Sequence, residues 1–484
     1  MIDVSETEVK IIVNSLSNSS SIGPDGLSNK IMKKIINSIV KYLTICINKS
    51  FREEKIPQIL KVSRISPLFK SLDRTNPINW RPLAQLLTWS KIFEKCLMTQ
   101  VIENCDRQEI IDPNQFGFRS SHSTVHPLLL IKNFIESELK QKKYVAIIAV
   151  DYEKAFDCVS TNGPLQQKIK YYTKSDKITN WIDSFYKNRT QFTIWNNTNS
   201  EIIKNHEISI VQGSNLGPKN FNFYINDLPK ASKLLTILFA DDSTFLASSK
   251  SPDLLNKFVN DELRNIKDYS DANKISYSQK KTTYMICTPK YKEKVKFDIK
   301  MGNSKINECE EITLLGVIID NKLKFTSHFN KVYDKVKNGL NGLIMVKNIL
   351  DYRAKLNIFH SLIQSHLDYC AMIWLPNLNN KQLNMLKVVQ KKAIRIVCNA
   401  KYNSHTGGLF QDNRITKVEN IFERDSLIMI FKYQDRNLPK AILELFDRNL
   451  HDDNFLTRKY TSWVLRPKKG LKNGDMMLLI AGIE

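Results

Sequence analysis

Apolar residues recur at three- and four-residue spacing through several long stretches of the chain, which predicts amphipathic helices. Helices are predicted in this way over residues 6–50, 83–104, 124–140 and 252–271. The first of these stretches is interrupted at 17–26, where Ser, Gly and Pro are frequent and signal a turn. Beyond residue 325 the pattern is almost wholly helical and basic, so we expect a helical C-terminal module.

Between the predicted helices, short apolar runs rich in β-branched residues predict buried strands. Such runs occupy residues 144–150, 234–240, 243–247 and 312–319. Only Asp241 and Asp242 separate two of these runs, which is the spacing of a two-residue hairpin turn. Helices packed on one face of a mainly antiparallel sheet make an α+β fold, and we expect a boundary near 320–340 before the C-terminal module.

Three acidic side chains stand where predicted strands end. Asp151 directly follows the strand at 144–150, and Asp241 and Asp242 lie at the tip of the predicted hairpin. Carboxylates that converge at strand ends are costly unless a hard cation such as Mg²⁺ neutralises them. A pair of such ions supports phosphoryl-transfer chemistry. Asp is also common in tight turns and at strand ends for local reasons, so neither feature is specific alone.

The charge balance of the 484-residue chain favours a polyanionic partner. Lys and Arg total 72 against 49 Asp and Glu, which gives a formal net charge of +23. Each cation that neutralises a phosphate releases condensed counterions, so such an excess favours nucleic acid. The alternative is biased residue usage, because the chain is rich in Lys, Asn and Ile throughout. Net charge alone says nothing about chemistry.

The cysteine pattern argues against a zinc-binding protein, and the hydropathy argues against a membrane-spanning one. The eight Cys form no C-x-x-C pair and no Cys/His cluster with finger spacing, so we expect no zinc site. No apolar stretch approaches the roughly 20 residues needed to span a bilayer, so no membrane association is expected. The N-terminus shows no targeting segment.

The residues around the carboxylates resemble the motifs of non-LTR (LINE-type, jockey-like) retrotransposon reverse transcriptases. Val-Asp-Tyr-Glu-Lys-Ala-Phe-Asp at 150–157 is similar to the first palm motif of that family, and Phe-Ala-Asp-Asp at 239–242 to its metal-binding hairpin. Val-Gln-Gly-Ser-Asn-Leu-Gly-Pro at 211–218 resembles the loop between them. Further motifs occur in family order at 23–26, 79–82, 90–95, 115–119, 188–191, 281–282 and 315–320.

The resemblance implies a right-hand polymerase fold. Fingers would occupy 1–143, a palm with the catalytic carboxylates 144–325, and a helical thumb and basic C-terminal region 326–484. The implied activity is RNA-directed DNA polymerisation, in which a primer 3′-hydroxyl attacks a deoxynucleotide. The implied partners are an RNA template, a DNA primer or target and dNTPs. Integration into a genome would place the protein in the nucleus as well as the cytoplasm.

The resemblance also implies roles for individual residues. Asp151 and Asp241 would ligate two Mg²⁺ ions, for which Mn²⁺ could substitute, with Asp242 close by. Phe156 would lie below the incoming sugar and exclude a 2′-hydroxyl. Gln212 and Gly213 would line the nascent base pair.

The resemblance gives five further residues roles in binding the triphosphate and the primer end. Arg81 and Arg119 are candidates for binding the triphosphate, because the planar guanidinium suits phosphate oxygens. Lys281 would protonate the departing pyrophosphate, although the adjacent Lys280 could take this role. Leu315 and Gly316 would form the turn that grips the primer end.

The sequence departs from the family pattern near the central loop. Val211 replaces a Pro that would stiffen the loop. Asn220 and Asn222 stand where the family has apolar residues, so each needs a hydrogen-bond partner if buried. The resemblance begins almost at residue 1, so we expect no endonuclease domain ahead of it. We also expect no ribonuclease H-like or zinc-knuckle segment after residue 330.

Three alternatives remain open from the sequence. The chain could be a catalytically decayed remnant that only binds nucleic acid, since its charge would survive loss of the active site. It could be an RNA-dependent RNA polymerase, but Ala240 before the Asp pair and the bulky Phe156 argue against that class. A metal nuclease could use the same carboxylates, but it leaves Phe156 and the Gln212–Gly213 loop unexplained.

Overall fold

A computed structural model describes residues 1–18, 22–71, 73–196, 198–204, 209–211 and 213–451. Its helices are α1 Glu6–Asn14, α2 Asn29–Arg52, α3 Thr88–Arg107, α4 Val125–Lys140, α5 Ala155–Cys158, α6 Pro164–Thr173, α7 Asp176–Tyr186, α8 Leu216–Ile225, α9 Pro252–Ala272, α10 Thr326–Val346, α11 Tyr352–Phe359, α12 Ser365–Asp368, α13 Ala371–Trp374, α14 Asn380–Val397, α15 Gly407–Asp412, α16 Val418–Gln434 and α17 Lys440–His451. Within these described ranges, no helix is long and apolar enough to cross a membrane.

The strands are β1 Val62–Phe69, β2 Trp80–Leu86, β3 Tyr144–Val150, β4 Thr190–Trp195, β5 Thr198–Asn199, β6 Ile203–Lys204, β7 Leu235–Phe239, β8 Asp242–Ser249, β9 Thr283–Cys287, β10 Lys300–Met301, β11 Ser304–Lys305, β12 Asn307–Glu308, β13 Glu311–Leu314 and β14 Val317–Asp320. The central sheet has the order β12-β9-β3-β8-β7. In it β3 pairs antiparallel with both β8 and β9. The predicted α+β class is therefore confirmed.

Strand β3 is covered on both faces, which explains its continuous apolar sequence. Ala146 and Ile148 face one core, which also includes residues of α2, α3 and α6 to α9. Val145 and Ile147 face a second core, built with α4 and the C-terminal helices. The strand that leads into Asp151 is thus held from both sides, and its end is a rigid support for a site.

A second sheet precedes the central one and was not predicted. Its order is β2-β1-β4-β5, with β6 also paired to β4. The pairing of β1 with β4 is parallel and joins residues 62–65 to 190–193. The region 1–143 is therefore not helical throughout, and the prediction of helix from residue 83 was wrong. Helix α3 starts only at Thr88, because residues up to Leu86 pair with β1.

The predicted single strand at 312–319 was also wrong. The segment is a hairpin of β13 and β14 in which Leu314 pairs with Val317. Leu315 and Gly316 form the two-residue turn, with φ of 47° and 83°. Positive φ at both turn positions is the geometry that suits the twist of a tight hairpin. The turn that the motif implied at Leu315 and Gly316 is thereby confirmed.

Candidate active site

The hairpin of β7 and β8 carries two of the predicted carboxylates. Phe239 pairs with Asp242, so the turn residues are Ala240 and Asp241 rather than Asp241 and Asp242 as predicted. Ala240 takes a left-handed conformation with φ of 57°. Asp242 is the first residue of β8, while Asp241 stands at the tip.

The register of the central sheet brings Asp151 to the same edge. Val150 of β3 pairs with Ser243 of β8, so the following residue, Asp151, comes beside Asp242. The backbone carbonyl of Asp151 accepts a hydrogen bond from Ser278 N at 2.7 Å. That bond fixes the end of β3 against the 276–282 segment, which carries Lys281.

The three carboxylates influence one another electrostatically. Burial raises the pKa of Asp241, the negative charge of Asp151 adds to this, and Arg81 and Lys281 oppose it. Burial and the charges of Asp241 and Asp151 raise the pKa of Asp242 to about 6. Like charges held this close at partly buried positions favour a neutralising cation.

Lys281 supplies one positive charge to the cluster. Its Nζ lies 3.2 Å from Oδ1 of Asp151, and both side chains remain partly exposed. The two residues line a cleft of 260 Å³ together with Asp242 and Leu315. The cleft therefore connects Asp151 and Asp242 to the β13–β14 hairpin.

In the described part of the chain, no three His, Cys, Asp or Glu side chains form a preassembled metal cage. The donor set still fits Mg²⁺, which is typically held by one or two carboxylates plus substrate phosphates. The raised pKa values of Asp241 and Asp242 mark negative charge that the protein itself leaves incompletely neutralised. A phosphate-bearing substrate would complete such a site.

The segment 112–119 supports the catalytic hairpin from behind. Phe116 N donates to Leu238 O and Leu238 N donates to Asn114 O, both at 2.9 Å. The buried Gln115 side chain accepts hydrogen bonds through Oε1 from Gly117 N at 2.8 Å and Ala240 N at 3.1 Å. These bonds hold the turn in its left-handed conformation.

Gly117 touches that turn directly. A Cβ built on Gly117 would lie 2.2 Å from Ala240 N, so only Gly fits there. Arg119, predicted to bind the triphosphate, donates through Nη1 to Asp112 O at 3.0 Å and Gln115 O at 3.1 Å. At least part of its guanidinium therefore braces its own loop.

Phe156 lies in an aromatic cluster with Phe118 and Phe221. Its ring stacks on Phe221 with centroids 4.6 Å apart and meets Phe118 edge-on at 6.2 Å. The ring is partly buried, so its position is fixed while one side stays accessible. A rigid bulky ring of this kind suits a steric filter.

The loop that carries Gly213 approaches strand β2 of the second sheet at very short range at this residue. Gly213 has φ of 110°, and a Cβ there would lie 2.3 Å from Ala84 O. Both facts require Gly. Gln212, predicted to line the nascent base pair, lies outside the described residues. Arg81 projects from the same strand as Ala84, β2, and its charge reaches Asp241.

Glu94 anchors this loop and was not singled out from the sequence. It is fully buried, and its Oε2 accepts hydrogen bonds from Asn215 N at 2.6 Å and Leu216 N at 3.2 Å. Burial raises the pKa of Glu94 to about 7, against these bonds and the charge of Arg189. The signal in the sequence is a carboxylate amid the apolar residues of α3, within the 90–95 motif.

The two asparagines that depart from the family pattern each donate a side-chain hydrogen bond. Asn220 Nδ2 donates to Tyr186 Oη at 2.9 Å, and Asn222 Nδ2 donates to Gly117 O at 2.8 Å. Both side chains are buried. The predicted need for hydrogen-bond partners is met at Nδ2 of each residue, whereas Oδ1 of Asn220 and Oδ1 of Asn222 have no hydrogen-bond partner among the described residues. Asn222 ties α8 to the glycine behind the catalytic turn.

The turn at Leu315 and Gly316 is held by the C-terminal helices. Tyr369 Oη donates to Leu315 O at 2.7 Å, and Lys331 Nζ donates to Gly316 O at 3.3 Å. Leu315 lines the cleft. The C-terminal module therefore fixes the edge of the site where a primer end is predicted to lie.

The family model described as reverse transcriptase (RNA-dependent DNA polymerase) matches residues 70–319. The match covers more than half of the chain and includes the three carboxylates, so the chain belongs to the reverse transcriptase family.

Several retrotransposon proteins are similar along most of this chain. The RNA-directed DNA polymerase from mobile element jockey of Drosophila funebris is 23% identical over 423 residues, covering 85% of this chain and 46% of the relative. The probable RNA-directed DNA polymerase from transposon X-element of Drosophila melanogaster is 23% identical over 440 residues, 89% and 47% of the two chains.

A third relative is the retrovirus-related Pol polyprotein from type-1 retrotransposable element R1 of Bradysia coprophila. It is 23% identical over 411 residues, which cover 83% of this chain and 40% of the relative. The chain spans about half the length of the curated relatives it matches. The predicted resemblance to non-LTR retrotransposon reverse transcriptases is confirmed.

Proposed function

We propose that this chain is an RNA-directed DNA polymerase that extends a DNA primer with dNTPs on an RNA template. The observation that carries the proposal is the strand register that sets Asp151 beside Asp242, with Asp241 at the adjoining hairpin tip. Two Mg²⁺ ions, or Mn²⁺ in their place, would be held by Asp151 and Asp241. When bound, they would lower the pKa of the attacking hydroxyl and stabilise the leaving oxygen.

The side chains around the carboxylates would bind and orient the substrate. Arg81 is within electrostatic reach of Asp241 and would pair with the triphosphate, as would Arg119 if it leaves one of its carbonyl partners. Phe156 would lie under the sugar and exclude ribonucleotides. The close approach of Gly213 to Ala84 supports a role for this loop beside the nascent base pair.

Lys281 would hold a proton for the leaving group. Its Nζ lies 3.2 Å from Oδ1 of Asp151. Once phosphates occupy the cleft, the ammonium would turn from the carboxylate to a pyrophosphate oxygen and donate to it. Leu315 and Gly316 would position the primer end, since their hairpin edges the same cleft.

We assign the palm to residues 144–325, the fingers to 1–143 and the thumb to the chain from 326 onward. The assignment is supported by the helical character of the described chain after Asp320 and by the carboxylates on the central sheet. Its test is limited proteolysis, which should cut first near the ends of these segments.

The function is tested by primer extension on poly(rA)/oligo(dT) with Mg²⁺. The wild-type chain should incorporate dTTP, and Asp241→Asn should lower incorporation by at least about 10²-fold, as expected for loss of a group that acts on the transition state. Asp261→Asn, on the exposed surface of α9, is the matched control and should retain activity. Salt-sensitive binding of the template without any extension by wild type would overturn the proposal in favour of a nucleic-acid-binding remnant.

A further inference from the structure

A second cleft lies on the C-terminal helices, away from the carboxylates. It has a volume of 570 Å³ and lies between the C-terminal ends of α10 and α14 and the segment 399–402. Leu340, Ile344 and Ile396 line its apolar part. Ile344 lies five turns beyond the start of α10, roughly 27 Å along the helix axis from the end that follows the β13–β14 hairpin.

The rim of this cleft is positively charged. Lys347, Lys392 and Arg395 line it, and no carboxylate does so in the part of the chain that the structure describes. Residues 380–401 contain six Lys or Arg and no Asp or Glu. A concave surface with charge of one sign concentrates the opposite charge, so the cleft suits a polyanion.

The cleft is built on buried polar contacts. Lys355 is 1% exposed and lies beneath the rim. Its Nζ donates to Asn399 Oδ1 at 2.5 Å and to Lys347 O at 3.5 Å, so it joins two sides of the cleft. Arg395 Nε donates to Ser404 O at 3.0 Å, which orients the guanidinium. These bonds give the cationic rim a fixed shape.

An aromatic side chain stands open beside the cations. Tyr402 lines the cleft and is 81% exposed, and Ile344 is 43% exposed. Aromatic rings beside a cationic groove bind successive unpaired bases by stacking, while Lys and Arg follow the phosphates. A protein segment rich in acidic residues would pair with the cations, but its binding would not account for the exposed ring of Tyr402.

We propose that this cleft binds a single-stranded nucleic acid, with phosphates on Lys347, Lys392 and Arg395 and an unpaired base against Tyr402. The inference deepens the proposed function and rests on it for the identity of the strand.

The test is fluorescence anisotropy of the full chain with a 20-nucleotide single-stranded RNA at several salt concentrations. Lys347→Gln/Lys392→Gln should weaken binding and reduce the slope of log Kd against log salt by about 1.4, since each lost single-strand phosphate contact removes about 0.7. Tyr402→Ala should weaken binding about tenfold with little change in slope. Lys381→Gln/Lys387→Gln, with the same charge change on α14 outside the cleft, should shift the slope far less.

Equal slope losses in the cleft variant and its matched control would overturn the inference, because only the overall charge would then matter. Competition with poly-glutamate gives a second arm. If poly-glutamate bound wild type but not the cleft variant, and left RNA binding to wild type unchanged, the cleft would be a site for acidic protein, and the inference would fail.

Primer extension by the wild-type chain, measured alongside, separates the two proposals. Cleft-dependent RNA binding without extension would refute the polymerase proposal alone. Extension without any cleft-dependent binding would refute this inference alone.

Discussion

Replacing Gly117 by Ala should displace the catalytic turn while leaving the chain folded. The added Cβ would lie 2.2 Å from Ala240 N, whereas ordinary contacts of a Cβ begin at 3.4 Å. The turn must therefore move by about 1 Å, and Asp241 moves with it. A displacement of that size at reacting groups costs roughly 10²-fold in rate. Overpacking adds a stability loss of about 1–3 kcal/mol.

The assay is single-nucleotide incorporation on poly(rA)/oligo(dT), with urea unfolding of the same preparations. Gly117→Ala should lower kcat about a hundredfold while a cooperative unfolding transition persists. Gly342→Ala is the matched control, because a Cβ there meets nothing within 4 Å. Gly342 lies inside α10, so its replacement should preserve activity and raise stability by up to about 1 kcal/mol. A Gly117→Ala enzyme within twofold of wild type would refute the reasoning that Gly117 sets the hairpin.

Three further predictions concern other parts of the site. Burial raises the pKa of Glu94 to about 7. Between about pH 4.5 and 7 the folded chain therefore keeps a proton that the unfolded chain releases. The free energy of unfolding of wild type then falls by about 1.4 kcal/mol for each unit that the pH rises. Glu94→Gln lacks this titration. The difference between the free energies of unfolding of wild type and variant, measured in urea, should therefore fall by about 2–3 kcal/mol as the pH rises from 5 to 7. A difference that stays constant would exclude a buried titrating carboxyl at position 94. Phe156→Ala should raise the rate of rUTP incorporation relative to dTTP at least tenfold, and an unchanged ratio would contradict the steric role. Gly316 has a φ of 83°, so Gly316→Ala should lower the free energy of unfolding by about 1–2 kcal/mol and raise the KM for primer. An unaltered KM would show that the hairpin does not take part in primer binding.

The central sheet was predictable because its signals are local. The apolar run of β3 and the amphipathic pattern of α9 stand out in the sequence, and both elements occur where they were predicted. The second sheet was missed because Pro67 and Pro82 and several polar residues interrupt the strand pattern of β1 and β2. Its pairing with β4 joins residues more than 120 positions apart, which no local pattern can report.

The turn position was missed by one residue for a tertiary reason. Asp and Asn adopt the left-handed conformation more readily than Ala, which favours Asp241-Asp242 as the turn pair. Ala240 adopts it here because Gln115 accepts its N–H and Gly117 packs against its backbone. The carboxylates themselves follow from the motifs, but the register that brings them together is the pairing of β3 with β8, which joins residues more than 90 positions apart.

The role of Glu94 also depends on residues that are distant in the sequence. A carboxylate among apolar residues of α3 is visible in the sequence, yet its acceptor role depends on the N–H groups of Asn215 and Leu216, more than 120 residues away. Buried polar residues must find partners, but the sequence does not name them.

The central claim is that Asp151 and Asp241 hold divalent ions jointly against a nucleotide. It is tested most directly by anomalous diffraction from Mn²⁺ in a complex with a dideoxy-terminated primer on an RNA template and the next dNTP. If the two carboxylates share the ions, two peaks about 3.5–4 Å apart are expected, bound by carboxylate oxygens of Asp151 and Asp241 and by phosphate oxygens. Manganese bound to the dNTP alone, with Asp151 still paired to Lys281, would contradict it.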